Sequence, residues 1–103
     1  MQLGEVVGTL VSTRKDPKMV GLKLLVVQNL DAEMRPQGGY AIAVDSVGAG
    51  LGDIVLHVAG SSARMTEQTQ DRPVDACIMA IVDCVEIAGR VTYDKSRGAT
   101  PGG

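Results

Sequence analysis

A chain of 103 residues, 45% hydrophobic and 21% charged, has room for one domain around one core. Its formal net charge of −2, with no run of one sign, gives no pull toward nucleic acid or an anionic membrane. No stretch approaches the roughly 18 apolar residues of a membrane span, and "MQLGEVVGTLV" lacks the basic start of a signal peptide, so a cytosolic protein is expected.

"MQLGEVVGTLVST" (Met1 to Thr13) is rich in β-branched residues and carries Gly4 and Gly8, which reads as a strand that bends or is closely approached. "RKDPK" with Pro17 is a turn. "MVGLKLLVVQNL" (Met19 to Leu30) is a second strand, and "DAEMRPQGG" (Asp31 to Gly39) a loop. "YAIAVDSV" (Tyr40 to Val47) alternates Tyr40, Ile42 and Val44 against small residues, a third strand with one heavy face. After Gly48, Gly50 and Gly52, "DIVLHVAG" (Asp53 to Gly60) is the fourth. Helical turns can start at Ser61 or Ser62, and Asp71 is placed to cap a short helix with Pro73 in its first turn. Val74, Cys77, Ile78 and Ile81 have helical spacing, whereas "IVDCVEI" alternates. The spacing therefore predicts a helix near Pro73–Ala80 running into a strand through about Val91. The organisation expected is one domain over 1–93 and a mobile tail over 94–103. Short strands with glycines at the bends, and one or two short helices, make a mainly β protein built as a small closed barrel.

Two tyrosines, with no phenylalanine or tryptophan, leave a core with less area per residue, so part of the burial is expected from a partner subunit. Cys77 and Cys84 lie in an apolar segment without a CxxC pattern and read as buried free thiols. His57 is the only histidine. Without a second ligand at metal spacing it reads as a surface or interface residue, opposite the face carrying Ile54, Leu56 and Val58. A hydrolytic pairing of His57 with Ser61 or Ser62 needs an approach that the sequence does not display. "VGAGLG" lacks the helix that a dinucleotide fingerprint requires and the lysine of a P-loop, which argues against a phosphate site. Base-stacking aromatics in a basic groove are missing too, which argues against nucleic acid. Asp83, flanked by Ile81, Val82, Cys84 and Val85, calls for a partner if buried, with Arg64 as the candidate, and solvent exposure of both residues is the alternative.

"VDSVGAGLGDIVLHVAGSSAR" followed by "PVDACIMAIVDCVEI" resembles the EutN/CcmL family, the pentameric vertex proteins of bacterial microcompartment shells. "LGEVVGTLVSTRKDPKMVGLKLLVVQNLD" looks like that family's opening, and the likeness runs from about Met1 to Val91. The resemblance implies a five-stranded barrel of oligonucleotide-binding type, assembled as a homopentamer beside hexameric shell proteins, with no catalysis and no obligatory cofactor. In such a ring Gly48, Ala49, Gly50 and Gly52, with Gly60, Ser61 and Ser62, are expected near the pore or the subunit interface, where backbones approach closely. Arg64 and Asp83 remain the structural ion-pair candidates. A binding module that uses the ring pore for a small molecule or ion is the alternative.

Overall fold

The computed structural model describes residues 1–72 and 74–97. β1 (Gln2–Leu10), β2 (Leu24–Leu30), β3 (Pro36–Asp45), β4 (Ile54–Ala59) and β5 (Ala76–Ile81) close a barrel in the order β1-β2-β3-β5-β4. Every pairing is antiparallel except β3 with β5, which meet in parallel only at Val44–Cys77 and Asp45–Ile78. A hairpin of β6 (Cys84–Ile87) and β7 (Arg90–Asp94) follows. Its tip, Ala88-Gly89, has φ of 51° and 77°, the left-handed pair that matches the twist of flanking strands.

The barrel interior is small and aliphatic: Val6, Leu25, Val27, Ala43, Val55 and Ile78 fill it, and Ala49 of the loop after β3 belongs to the same cluster. Gly4 belongs to this filling, since a Cβ there would run into Val27 Cγ1 and stand 3.0 Å from the Gln28 carbonyl. Two further clusters clothe the outside of the barrel. Leu30, Met34, Ile54 and Tyr93 join the hairpin to it. Val44, Val58, Ala63, Val74 and Cys77 join it to the segments around Met19 and Ala63. The Arg90–Glu33 ion pair, and Thr92 Oγ1 donating to the Ala32 carbonyl at 2.8 Å, pin the hairpin further.

Several expected elements move. The second strand starts at Leu24, after a 3-10 turn at Pro17–Met19. The Asp31–Gly39 loop shortens to a tight turn, because Asp31 Oδ1 accepts from the backbone N–H groups of Glu33 and Arg35 and lets β3 begin at Pro36. The expected helix is absent from the described residues: Pro73 lies outside them, and Ala76–Ile81 is β5. Asp71, expected as its cap, sits instead in a left-handed turn with φ of 59°. The expected strand through Val91 breaks after Ile81 and becomes β6 and β7. Helical turns do form at Gly60–Arg64, as a 3-10 turn. Beyond Asp94 the chain makes a 3-10 turn at Lys95–Arg97, and the rest of the expected tail, 98–103, lies outside the described residues.

Candidate functional site

The two glycine-bearing segments flank β4. The first, Ser46 to Asp53, is folded around one carboxylate. Asp45 ends β3 with its side chain only 2% exposed, and Oδ1 accepts from the backbone N–H groups of Val47, Gly48 and Ala49, each at 3.1 Å. Lys23 Nζ lies 3.3 Å from Oδ2 and donates to the Ala49 carbonyl at 2.8 Å. Burial by itself raises the Asp45 carboxyl, but the Val47 and Ala49 N–H donors and the Lys23 ammonium outweigh it and hold the group below the ordinary carboxylate value. Asp53 closes the other end: its Oδ2 accepts from Gly50 N at 2.8 Å, while Gly52 N and the Asp53 carbonyl bond to Val6 of β1.

Gly48 and Gly52 have φ of 80° and 87°, and a Cβ on either would meet nothing within 4 Å. Left-handed backbone within the chain is therefore enough to require glycine there. Gly50 differs. Its φ is not left-handed, and the nearest atom to a Cβ there is Asp53 Oδ2 at 3.9 Å. Leu51 beside it is 76% exposed, an apolar side chain carried on a fastened loop.

The second segment opens at Gly60, with φ of 70°, and its N–H donates to the Asp75 carbonyl at 2.8 Å. Ser61 and Ser62 are exposed on the 3-10 turn, Ala63 is buried beneath it, and Thr69, fully buried, exchanges hydrogen bonds with Thr66 further on. Of the two readings of Arg64 and Asp83 the structure shows exposure of both, and the ion pair between them does not form. Arg64 Nη1 donates to the Val74 carbonyl at 3.2 Å, whereas Asp83 is exposed and gives its main-chain carbonyl to Lys95 N. Exposure removes the need for a partner that the apolar neighbours of Asp83 suggested.

His57 is 5% exposed, not a surface residue, and its Nε2 lies 3.0 Å from Asn29 Oδ1. It shares the inward face of β4 with Val55, while Ile54 and Val58 point into the two outer clusters. Burial and then the N-terminal amino group lower its pKa. Engaged with Asn29 inside the barrel, His57 has no hydrogen bond to Ser61 or Ser62. Cys77 is buried as expected, and Cys84 is exposed because β6 lies outside the barrel. Sequence reasoning passed over Asp45, the residue that shapes the loop. An aspartate just before "SVGAG" is the Asx-turn pattern that points to it.

A loop fastened by Asp45 and Asp53 and an exposed turn at Gly60–Arg64 thus flank β4 on a closed barrel. The family model described as "ethanolamine utilisation protein EutN/carboxysome" matches residues 1–83. The chain belongs to the EutN/CcmL family. It is 45% identical to the carboxysome shell vertex protein CcmL of Gloeobacter violaceus over 92% of this chain and 95% of that one. It is 43% identical to the microcompartment shell vertex protein EutN of Salmonella typhimurium over 92% and 96%. Among solved structures, the Gloeobacter CcmL fold superposes with a TM-score of 0.89, covering 93% of this chain and 99% of that one. The GrpN pentameric microcompartment shell protein of Rhodospirillum rubrum, 47% identical, superposes with a TM-score of 0.76 over 84% and 100%. Homology therefore spans the barrel and both glycine segments. Members of the EutN/CcmL family with these names are structural shell proteins, and this chain is one of them, not an enzyme.

Proposed function

We propose that five copies of this chain form a ring at the fivefold vertices of a bacterial microcompartment shell, and that the ring allows the shell to close. The observation that carries this is near full-length likeness to named shell vertex proteins, one of them described as pentameric. The role is geometric. A layer of sixfold tiles lies flat, and inserting fivefold units supplies the curvature that closes it. The ring therefore needs two interfaces: one between its own copies and one with hexameric shell proteins.

The loop Gly48–Gly52 and the turn Gly60–Ser62 are the segments placed against a neighbouring copy or the axis. Gly50 supports this, since neither its φ nor its surroundings within the chain demand glycine, and so does the exposed Leu51. Co-expression with shell hexamers tests the whole reading. Closed polyhedral shells are expected with this chain, and open or elongated ones without it. Normal closure in its absence contradicts the assignment.

A further inference from the structure

We propose that the turn between β1 and β2, with Arg14, Lys15 and Lys18 at its surface, is a docking site for an acidic, partly apolar segment of another protein. Such a site is additional to the ring contacts and exists whatever the number of copies.

Cations elsewhere in the chain are mostly matched. Lys23, Arg35, Arg90, Lys95 and Arg97 each face a carboxylate. Among the described residues, Arg14, Lys15, Lys18, Arg64 and Arg72 form no ion pair, and all of these but Arg64 meet at one place. Arg14, Lys15 and Lys18 are exposed side by side on the turn. Arg72 reaches them from beyond β4, its Nη1 donating to the Lys18 and Val20 carbonyls at 3.1 and 2.8 Å. The turn's one carboxylate, Asp16, is engaged in the turn itself, with Oδ1 accepting from Lys18 N at 2.9 Å. Like charges crowded in this way repel one another and stabilise nothing within the chain, so their use lies outside it.

The turn also holds a fixed shape. Ser12 Oγ donates to the Arg14 carbonyl at 2.8 Å, and Lys15 Nζ to the Ser12 carbonyl at 2.9 Å. The 3-10 turn at Pro17–Met19 follows, and Met19 and Leu22 pack onto the cluster around Val44. A turn already ordered loses little freedom on binding. Its flanks are apolar: Val11 is 85% exposed and Val20 57%. Cations bordered by exposed valines suit a polypeptide that brings carboxylates and aliphatic side chains together. They do not suit a nucleic acid, whose bases stack on aromatics, since neither Tyr40 nor Tyr93 belongs to this turn. A long polyanion would also run onto a chain whose net charge is −2 despite this cluster. The occupant comes from another protein, because no two acidic residues adjoin anywhere in this sequence.

The test is the fluorescence anisotropy of a short labelled peptide rich in Glu and Leu, added to the full chain. The peptide is expected to bind, and more weakly as salt rises. A peptide with Gln in place of every Glu should not bind; neither of these arms needs a variant to fold. Arg14→Glu combined with Lys18→Glu should weaken binding at least about tenfold, with sedimentation and circular dichroism as in the parent. Val20→Ser should weaken it about threefold. No binding of the Glu–Leu peptide, equal binding of the Gln peptide, or unchanged binding by either variant overturns the site. Polyphosphate bound as tightly as the peptide assigns the turn to anions of any kind and overturns a polypeptide occupant. A charge-reversed variant that changes the number of copies, or no longer closes shells with hexamers, assigns the turn to a second copy or to the tiles and overturns it as well.

Discussion

The loop entering β4 and the turn leaving it both use left-handed glycines, at Gly48 and Gly52 on one side and Gly60 on the other. They are fastened by different means. The entering loop converges on the Asp45 carboxylate, which accepts three backbone N–H groups and faces Lys23. The leaving turn is held by neutral main-chain and hydroxyl groups, with one guanidinium contact to a carbonyl. The buried Asp45 carboxylate thus fixes the first half of the loop, Val47 to Ala49, and couples it to pH, whereas the turn distributes its support over neutral groups.

Removing that group is expected to have the largest effect. Asp45→Ala leaves three backbone donors without their acceptor and strips Lys23 of its partner, so urea denaturation should show a loss of about 3 kcal/mol or more. A loss as small as that of Arg64→Ala erases the distinction between the two segments. Next come the glycines. Gly48→Ala, Gly52→Ala and Gly60→Ala each force a side chain into left-handed backbone, at about 1–2 kcal/mol. Gly50→Ala should leave the thermal stability of a dissociated barrel unchanged and act only on assembly. Equal losses at all four positions would place the whole glycine pattern within the single chain.

Acid sharpens the comparison. Because the folded Asp45 carboxyl titrates below its ordinary value of 3.8, its stabilisation is complete above that value and is lost as pH falls through the folded value. His57 acts earlier. Its folded pKa is depressed below 6.5, so the unfolded chain takes up a proton first, and stability falls as pH drops from 6.5 toward the folded value. Melting temperatures across the acid range should therefore decline in two stages, with His57→Gln removing the upper one. A flat profile in the His57 stage for the unmodified chain contradicts its buried, neutral state. Arg64→Ala is the smallest effect. It forfeits one contact from an exposed side chain to the Val74 carbonyl, about 1 kcal/mol or less in a thermal melt.

Much of the fold is legible in the residues. Four strand segments, the glycine bends and the 3-10 turn at Gly60–Arg64 follow from β-branched runs and turn chemistry. The failure at 74–81 has a clear cause. β5 is covered on both sides, with Cys77 in the outer cluster and Ile78 in the barrel, so its apolar residues run together and imitate helical spacing. The same double covering misassigned His57: on β4 the outward residues Ile54 and Val58 are as buried as Val55, and alternation no longer tells inside from outside. Cys84 went the other way, exposed on a hairpin whose apolar composition suggested core. Of the candidate site, the glycines stood out at once, but the reason for Gly48, Gly52 and Gly60 is backbone conformation, which composition does not separate from close approach. The heavy side of β3 was visible in Tyr40, Ile42 and Val44, but only packing by the segments around Met19 and Ala63 decides that Val44 is covered while the other two are exposed.

The number of copies in the particle bears most directly on the central claim. Native mass spectrometry of the full chain at micromolar concentration should give a single dominant species of five copies, with little monomer. A stable monomer, or a closed ring of any other number, contradicts a fivefold vertex unit.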